Sequence, residues 1–301
     1  MSSETGISWT DSTWNCITGC TAVSPGCARC YSAQLTATRL KNQEKYKGLA
    51  VLNASGAGVF TGKVRCHEDD LTIPLHWRKG RRIFVNSMSD TFHNNVPFQF
   101  IDRMFAVMAL CPRHTFQVLT KRPEWMAEYA NYPVRNATVT TACYRLLKER
   151  GEFGFGPGRV MMRAWDGELL CPWPLPSVWL GTSAEDQPRL DERIVHLVKC
   201  PAAVRFLSLE PLLGPLDLST WFFSMMTDAG KCAIDQCIVG CESVRGKALG
   251  RHFDPDWARS IRDQCQAAGV KFFLKQMPVD GKVCHDAAGF PTDLRIREFP
   301  A

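Results

Sequence analysis

Six short apolar runs, each followed at once by small or polar residues, constrain the fold of this 301-residue chain more than any other feature. Each run has a core of four to six residues rich in Val, Ile, Leu and Phe. Near-continuous apolar runs are typical of parallel strands that are buried on both faces of a sheet. The runs are RRIFVNSMSD (81–90), HTFQVLTKRP (114–123), SVWLGTSAED (177–186), AVRFLSLEPL (203–212), QCIVGCES (236–243) and VKFFLKQ (270–276).

Amphipathic segments lie between these runs. Residues 97–111 carry apolar side chains at helical spacing, and residues 189–200 repeat the pattern. Residues 254–269 repeat it again, with Asp254 as a helix N-cap and Gly269 as a stop. Strand and helix in alternation predict an α/β fold, either a doubly wound sheet or a partial or full (β/α) barrel of parallel strands.

Two long connections interrupt this alternation, at residues 131–176 and 217–235. Connections of such length are usually functional lids or family-specific additions. Neither has the composition of an independent domain, so we expect one domain over residues 1–301, with STWN (12–15) as its first strand. The connection at 131–176 is expected to cover the site as a lid.

Composition indicates a cytoplasmic enzyme. The chain has no run of 18 apolar residues, and its first twelve residues lack the features of a secretory signal, so neither a membrane partner nor export is expected. Outside the N-terminal cluster its cysteines are scattered singly, and many lie inside apolar runs, as buried free thiols do in a reducing compartment. The net charge of +6 permits a phosphate-bearing partner, and the basic segment HWRKGRR (76–82) offers phosphate contacts.

Polar residues follow the six apolar runs directly. In β/α folds the ligand lies at the carboxyl ends of the strands, so these residues are expected to meet at one polar site. The side chains expected to open onto it are those of Asp90, Lys121, Ser183, Glu210 and Glu242.

The cysteines of GCTAVSPGCARCY (19–31) are spaced as ligands around a loop. Cys20, Cys27 and Cys30 are separated by six and by two residues, and Cys16 lies just upstream. With Cys16 the set could bind tetrahedral zinc, although the spacing is not that of paired zinc knuckles. Four cysteines could instead hold an electron-transfer iron–sulfur cluster. Three cysteines would leave one iron open for a small-molecule ligand.

Six segments in the same order resemble the phage-associated three-Cys-motif protein family, which is similar to radical S-adenosylmethionine (SAM) proteins of the spore photoproduct lyase type. The resemblance runs from about residue 7 to about residue 276. It implies a radical SAM-like, TIM-barrel-like fold that binds a 4Fe-4S cluster and SAM. The segments are SWTDSTWNCITGCTAVSPGCARCYS, RRIFVNSMSDTFHNNVP, FQVLTKRPE, VWLGTSAEDQ, RFLSLEPLLGPLDL and RDQCQAAGVKFFLKQ.

The resemblance implies which cysteines hold the cluster. Cys20, Cys27 and Cys30 correspond to its three ligands, and the aromatic Tyr31 follows the last of them on the cofactor-binding side. Cys16 stands where the family commonly has proline, so it is interpreted as incidental.

Four further residues correspond to groups that bind SAM. Lys121 resembles the lysine that pairs with the cofactor carboxylate, and Ser89 and Asp90 correspond to the strand end that reaches its amino group. Ser183 corresponds to a hydroxyl contact from the following strand. Each of these residues can instead have an ordinary structural role. Lys121 can be a solvated cation at a strand end, and Ser89 or Asp90 can cap a helix.

The chain departs from the family pattern at two places, and two further carboxylates belong to the candidate site. Cys241 stands where the family usually has glycine; it either prevents close backbone approach or donates a hydrogen atom to a radical. Glu210 and Glu242 are the carboxylates expected to face cofactor ribose or substrate; alternatively, Glu210 before Pro211 anchors a turn and Glu242 pairs with Arg205 or Lys275. The tail at 277–301 diverges from the family.

The resemblance thus implies a radical SAM enzyme that reductively cleaves SAM to a 5′-deoxyadenosyl radical, using an external electron donor. The lyase-type similarity and the phage setting point to a nucleobase or nucleic acid as substrate, which would have to be flipped or single-stranded to reach the site. The alternative is a non-catalytic nucleic-acid-binding protein whose cysteines stabilise the fold through zinc or an Fe-S cluster.

Overall fold

The computed structural model describes residues 5–151, 162–163, 169–226, 230–243 and 250–301. In these ranges the strands are β1 (Ser12–Trp14), β2 (Ile17–Thr18), β3 (Ala50–Leu52), β4 (Gly58–Phe60), β5 (Arg65–Cys66), β6 (Arg82–Val85), β7 (Thr115–Thr120), β8 (Met162–Arg163), β9 (Leu169–Leu170), β10 (Val178–Ser183), β11 (Val204–Leu209), β12 (Gln236–Gly240), β13 (Lys271–Val279) and β14 (Lys282–Cys284). The α-helices are α1 (Tyr31–Ala37), α2 (Glu68–Leu71), α3 (Phe98–Ala109), α4 (Pro123–Ala130), α5 (Arg135–Glu149), α6 (Gln187–Leu197), α7 (Ser219–Ser224) and α8 (Pro255–Ala268).

One eight-stranded sheet organises the molecule, in the order β1-β6-β7-β10-β11-β12-β13-β14. The first seven strands are parallel, and only β14 runs antiparallel to its neighbour. Six of the parallel strands are the six apolar runs of the sequence, and the seventh, β1, comes from the expected STWN segment. The prediction of a mostly parallel α/β fold is therefore confirmed.

The sheet is open, with β1 and β14 as its two edges in the described part of the chain. A full barrel, which the sequence left as an alternative, is therefore not formed by these strands. Strand order follows chain order without reversal, so the doubly wound arrangement, in which the order reverses, is not adopted either.

The sheet is nevertheless strongly curved. In a flat sheet β6 and β13 would lie about 24 Å apart, at about 4.8 Å per strand. The Phe299 ring touches both of them, since its centroid is 5.2 Å from that of Phe273 on β13 and 4.0 Å from the guanidinium of Arg82 on β6. Trp9 lies in the concavity and packs against Phe84, 4.6 Å away between ring centroids. The C-terminal tail therefore helps to hold the sheet edges towards each other.

Helices cover the convex face, where the larger hydrophobic core lies. The predicted helices form as α3, α6 and α8. The Asp254 carboxylate accepts a hydrogen bond from the Asp256 N–H at the start of α8, and Gly269 ends that helix in the left-handed conformation with φ 67°. None of the helices in the described ranges has the length and apolar character needed to cross a membrane.

The two long connections add to the helical layer. In the first, α5 packs against α3, and in the second, α7 packs against α8. The expectation that residues 131–176 form a lid is wrong for the described residues, because none of them lines the cavity at the carboxyl ends of the parallel strands. Residues 152–161, 164–168 and 227–229 of these connections lie outside the described ranges.

We expect Phe206→Ala to lower the free energy of unfolding by about 3–5 kcal/mol, because its ring is fully buried on the concave face and truncation would leave a cavity there. Phe223→Ala is the matched control, since that ring is 86% exposed, and it should change stability by about 0.5 kcal/mol or less. Urea unfolding followed by circular dichroism measures both. Equal effects of the two substitutions would contradict the assignment of Phe206 to the core.

Candidate functional site

A cavity of about 700 Å³ opens at the carboxyl ends of the parallel strands. All eleven side chains that the sequence analysis selected line it, together with Arg122 and Lys275. Because strand ends of a parallel sheet share one edge, residues from seven separate segments meet here. The eleven are Cys20, Cys27, Cys30, Tyr31, Ser89, Asp90, Lys121, Ser183, Glu210, Cys241 and Glu242.

The cysteine loop, residues 19–30, forms one wall of this cavity. It begins at Gly19, whose φ is +87°. A Cβ atom at this position would clash with the carbonyl group of Lys63. A short 3-10 helix, Pro25–Cys27, shapes its middle, and Cys30 caps the start of α1. The Pro-Gly turn and the glycine in the left-handed region thus bend the chain so that three cysteines face one space.

A buried ion pair connects the cysteine loop to the sheet. Arg122 Nη1 lies 2.9 Å from Asp90 Oδ2 and 3.7 Å from Cys20 Sγ, and its Nη2 donates to the Thr21 carbonyl at 2.9 Å. Asp90 also accepts hydrogen bonds from the Thr120 hydroxyl at 2.6 Å and from the Lys121 backbone N–H at 3.0 Å. Arg122 was not expected at the site from the sequence, although it directly follows Lys121 in the TKRP segment.

Glu185 fixes the middle of the loop from the end of β10. It is fully buried, and its carboxylate accepts from the Gly26 N–H at 2.8 Å and from Arg193 Nη1 at 3.2 Å. Burial by itself would raise the pKa of Glu185, but nearby Lys121, the Ser24 hydroxyl, the Gly26 N–H and Arg193 together lower it below its usual value. The sequence placed Glu185 at a strand end but gave it no role; its pairing with a loop 159 residues away has no local signal.

Glu242 holds the same loop from the end of β12. Arg251 Nη2 lies 2.6 Å from one carboxylate oxygen, and Arg29 Nη1 lies 3.4 Å from the other. Arg251 in turn donates to the Pro25 carbonyl at 2.9 Å. The expected cavity-facing carboxylate is thus engaged by two arginines, neither of which the sequence had proposed as a partner.

Glu210 and Cys241 occupy the far side of the cavity. Lys275 Nζ lies 3.0 Å from Glu210 Oε1, and the Ser208 hydroxyl donates to Glu210 Oε2 at 3.2 Å. The sequence had offered Lys275 as an alternative partner of Glu242, whereas in the structure Lys275 pairs with Glu210. Burial raises the pKa of the Cys241 thiol to about 12, and nearby Glu210 adds to that shift, so the thiol is protonated at neutral pH.

The remaining residues that are expected to contact the cofactor differ in whether their side chains already have hydrogen-bond partners. The Ser89 hydroxyl donates to the Ile17 carbonyl at 2.9 Å, and the Tyr31 hydroxyl donates to the Ser87 carbonyl at 2.6 Å. The Lys121 ammonium group, by contrast, has no hydrogen-bond partner among the described residues, although it is close enough to Glu185 to affect its pKa. Lys121 is therefore the cation at this cavity that is best able to accept an anionic ligand.

The three loop cysteines are the candidate metal ligands at this cavity. Cys20 and Cys30 are near enough for their charges to interact, but within the described ranges no three His, Cys, Asp or Glu side chains converge as they would around one metal ion. Cys16 is fully buried beside Asn86 and does not line the cavity, which is consistent with its interpretation as incidental.

The basic segment of residues 76–82 lies away from the cavity. It precedes β6, so it is at the amino edge of the sheet, whereas Asp90 follows the carboxyl end of that strand. Arg81 donates to the Ser12 hydroxyl at 3.0 Å and lies over the Trp77 ring, and Arg82 pairs with Asp11. The segment therefore does not contribute to the cavity, and the expectation that it offers phosphate contacts stays a prediction.

We expect Asp90→Ala to lower the free energy of unfolding by about 3–5 kcal/mol, because Arg122 would remain buried without its counter-charge. Glu149→Ala removes an exposed carboxylate, 4.0 Å from Arg103, and should cost about 1 kcal/mol or less. Chemical denaturation of both variants measures the difference. A loss below about 1 kcal/mol in Asp90→Ala would show that this ion pair does not hold the loop.

One comparison with known proteins gave a match. A family model described as "Protein of unknown function (DUF5131)" matches residues 4–289. No curated protein and no solved structure matches the chain. Since the match covers nearly the whole sequence, the chain belongs to the DUF5131 family.

Proposed function

We propose that this protein is a radical SAM enzyme whose three loop cysteines, Cys20, Cys27 and Cys30, hold a 4Fe-4S cluster. The observation that carries the proposal is that the three cysteines line the same cavity as the polar ends of successive parallel strands. A cofactor bound to an open iron would be within reach of those strand ends. The fold proposed with it is a radical SAM-like partial barrel, consistent with the open, curved sheet in chain order.

When bound, the cluster and SAM supply a 5′-deoxyadenosyl radical through reductive cleavage of the SAM sulfonium bond. Lys121 binds the cofactor carboxylate, since its ammonium group lacks a hydrogen-bond partner among the described residues and a charge-assisted bond would stabilise the complex. Ser89, Asp90, Ser183 and Tyr31 orient the remainder of the cofactor. An external electron donor provides the electron.

The ion-paired carboxylates keep the cavity in its shape. Glu242 holds the cysteine loop through Arg251 and Arg29, and Glu210 holds Lys275 against the opposite wall. A pre-organised wall of this kind restricts where a reactive radical can move. Cys241 is protonated at neutral pH and lies at the same cavity, so it is placed to donate a hydrogen atom to a substrate radical.

The second candidate function is that of a nucleic-acid-binding protein in which the cysteines only stabilise the fold. A structural metal site is closed by four protein ligands and needs no cavity beside it. Three cysteines next to a cavity of about 700 Å³ therefore favour the enzyme. The substrate proposed for the enzyme is a nucleobase or nucleic acid.

We expect anaerobically prepared protein to be brown and to carry about four irons per chain, as a 4Fe-4S cluster requires. Cys16→Ala should keep both iron and colour, because Cys16 does not line the cavity, whereas Cys27→Ala should lose both. Iron analysis and absorption spectroscopy measure these changes. Equal iron loss in both variants would mean a four-cysteine site, and colourless protein with one zinc would support the second candidate.

We expect Lys121→Ala to weaken SAM binding about ten- to a hundredfold while leaving the iron content unchanged, because one charge-assisted hydrogen bond contributes about 1.5–3 kcal/mol. Isothermal titration of the anaerobic protein measures the affinity, and release of 5′-deoxyadenosine with dithionite measures cleavage. Lys148→Ala, which removes an exposed lysine on α5, is the control. Unchanged affinity in Lys121→Ala would show that Lys121 is only a solvated strand-end cation.

A further inference from the structure

A second, polar cleft of about 430 Å³ adjoins the cysteine loop, and we infer that it binds one base of a single-stranded nucleic acid. The phosphates of that strand are bound by the segment at residues 38–66, here called the hairpin segment. The inference rests on the proposed function in that it names the substrate class. It is carried by the charge distribution of the chain and by the residues of the cleft.

The hairpin segment carries nearly all of the net charge of the chain. It contains six lysines and arginines and one acidic residue, Glu44, so its charge is +5 of a total of +6. Lys45 pairs with Asp70 at 2.6 Å, on α2 just beyond the segment. Four exposed cations of the segment have no ion pair within the described ranges, and these are Arg39, Lys41, Lys47 and Lys63. A cluster of unpaired cations is the electrostatic feature that attracts a phosphate backbone.

The fold places this segment beside the site. Its hairpin, β3–β4, packs against α1, where the Gly58 N–H donates to the Gln34 side-chain oxygen at 2.6 Å. Further along, residues 62–64 lie against the start of the cysteine loop, because the backbone of Lys63 closely approaches Gly19. Lys63 is therefore next to the chain segment that leads into Cys20. A strand held by these cations would pass along the opening of the cavity.

The second cleft continues directly from this surface. The Asn95 amide donates to the Gly62 carbonyl at 3.5 Å, and both Asn94 and Asn95 line the cleft. Trp125 forms part of another wall; its indole ring is 37% exposed, with the Phe98 ring against it at a centroid distance of 6.4 Å. An exposed indole ring provides a stacking surface for a base, and side-chain amides can both donate to and accept from its edge.

The cleft is lined by charges of both signs, which gives a base hydrogen-bonding partners. Glu124 and Glu192 can accept hydrogen bonds from exocyclic amino groups of a base, while Arg122 and Arg193 already pair with Asp90 and Glu185. The cleft shares four lining residues with the larger cavity, Thr21, Val23, Lys121 and Arg122, so a base here would be next to whatever occupies that cavity. A duplex keeps its bases stacked, and only an unpaired base can enter such a cleft. An acidic protein partner would be expected to dock on an apolar centre, which this cleft does not offer.

The test is fluorescence anisotropy with a 20-nucleotide labelled oligonucleotide as single-stranded DNA, single-stranded RNA and duplex DNA. The full-length protein should bind a single-stranded probe, with an affinity that falls as salt rises. Trp125→Ala should weaken that binding about tenfold, through loss of one stacked base, while Tyr144→Ala, another exposed aromatic, should not. Lys63→Ala should reduce the slope of log K against log salt by about 0.7, while Lys199→Ala, an exposed lysine after α6 at the opposite edge, should leave it unchanged.

Several results would overturn the inference. One is failure of the wild type to bind either single strand at low salt, and another is equal weakening by Trp125→Ala and Tyr144→Ala. Tighter binding of the duplex with no effect of Trp125→Ala would also contradict it. So would a salt-dependent complex with an acidic flavodoxin and none with the probes, since the surface would then serve a protein partner. Binding needs neither the cluster nor turnover, so its failure is separate from a failure to release 5′-deoxyadenosine.

Discussion

The buried ion pair between Asp90 and Arg122 is the interaction on which the candidate site depends. It joins the ends of two neighbouring strands and brings a guanidinium group to Cys20 Sγ and to the backbone of the cysteine loop. Breaking such a pair leaves an uncompensated buried charge, so the two side chains can move little relative to each other. Glu185 and Glu242 fix the same loop at Gly26 and Pro25, through two other strand ends. The loop is thus held at three points by charged groups of the sheet.

This arrangement explains why most charged groups at the cavity already have partners. Four carboxylates each pair with a cation: Asp90, Glu185, Glu210 and Glu242. These ion pairs hold the cavity walls in position, so the carboxylates are not free to act as acids or bases. Chemistry at such a cavity would depend on a bound cofactor, with the protein supplying position and electrostatics. Lys121 differs, because its ammonium group has no hydrogen-bond partner in the described part of the chain. It is the residue through which the proposed cofactor would be recognised.

The sheet and the residues that line the cavity could be predicted from the sequence, because both follow from local patterns. Apolar runs such as that of residues 203–212 mark buried parallel strands, and topology then brings their ends together. The positions of Glu185 and Arg122 relative to the cysteine loop could not be predicted, since both depend on contacts across more than 100 residues. The position of the basic segment at 76–82, at the amino edge of the sheet, could not be predicted either, because charge alone does not say where a segment lies. The hairpin segment has the stronger charge, yet its position became evident only from its packing on α1.

Mass-spectrometric footprinting of thiols shows directly whether three cysteines and no others hold a cluster at this cavity. Metal-free and iron-reconstituted protein would be alkylated under native conditions and compared cysteine by cysteine. We expect reconstitution to protect Cys20, Cys27 and Cys30, while Cys66 and Cys284, which are also partly exposed, should react equally in both states. Protection that leaves out one of the three, or no protection at all, would contradict this expectation.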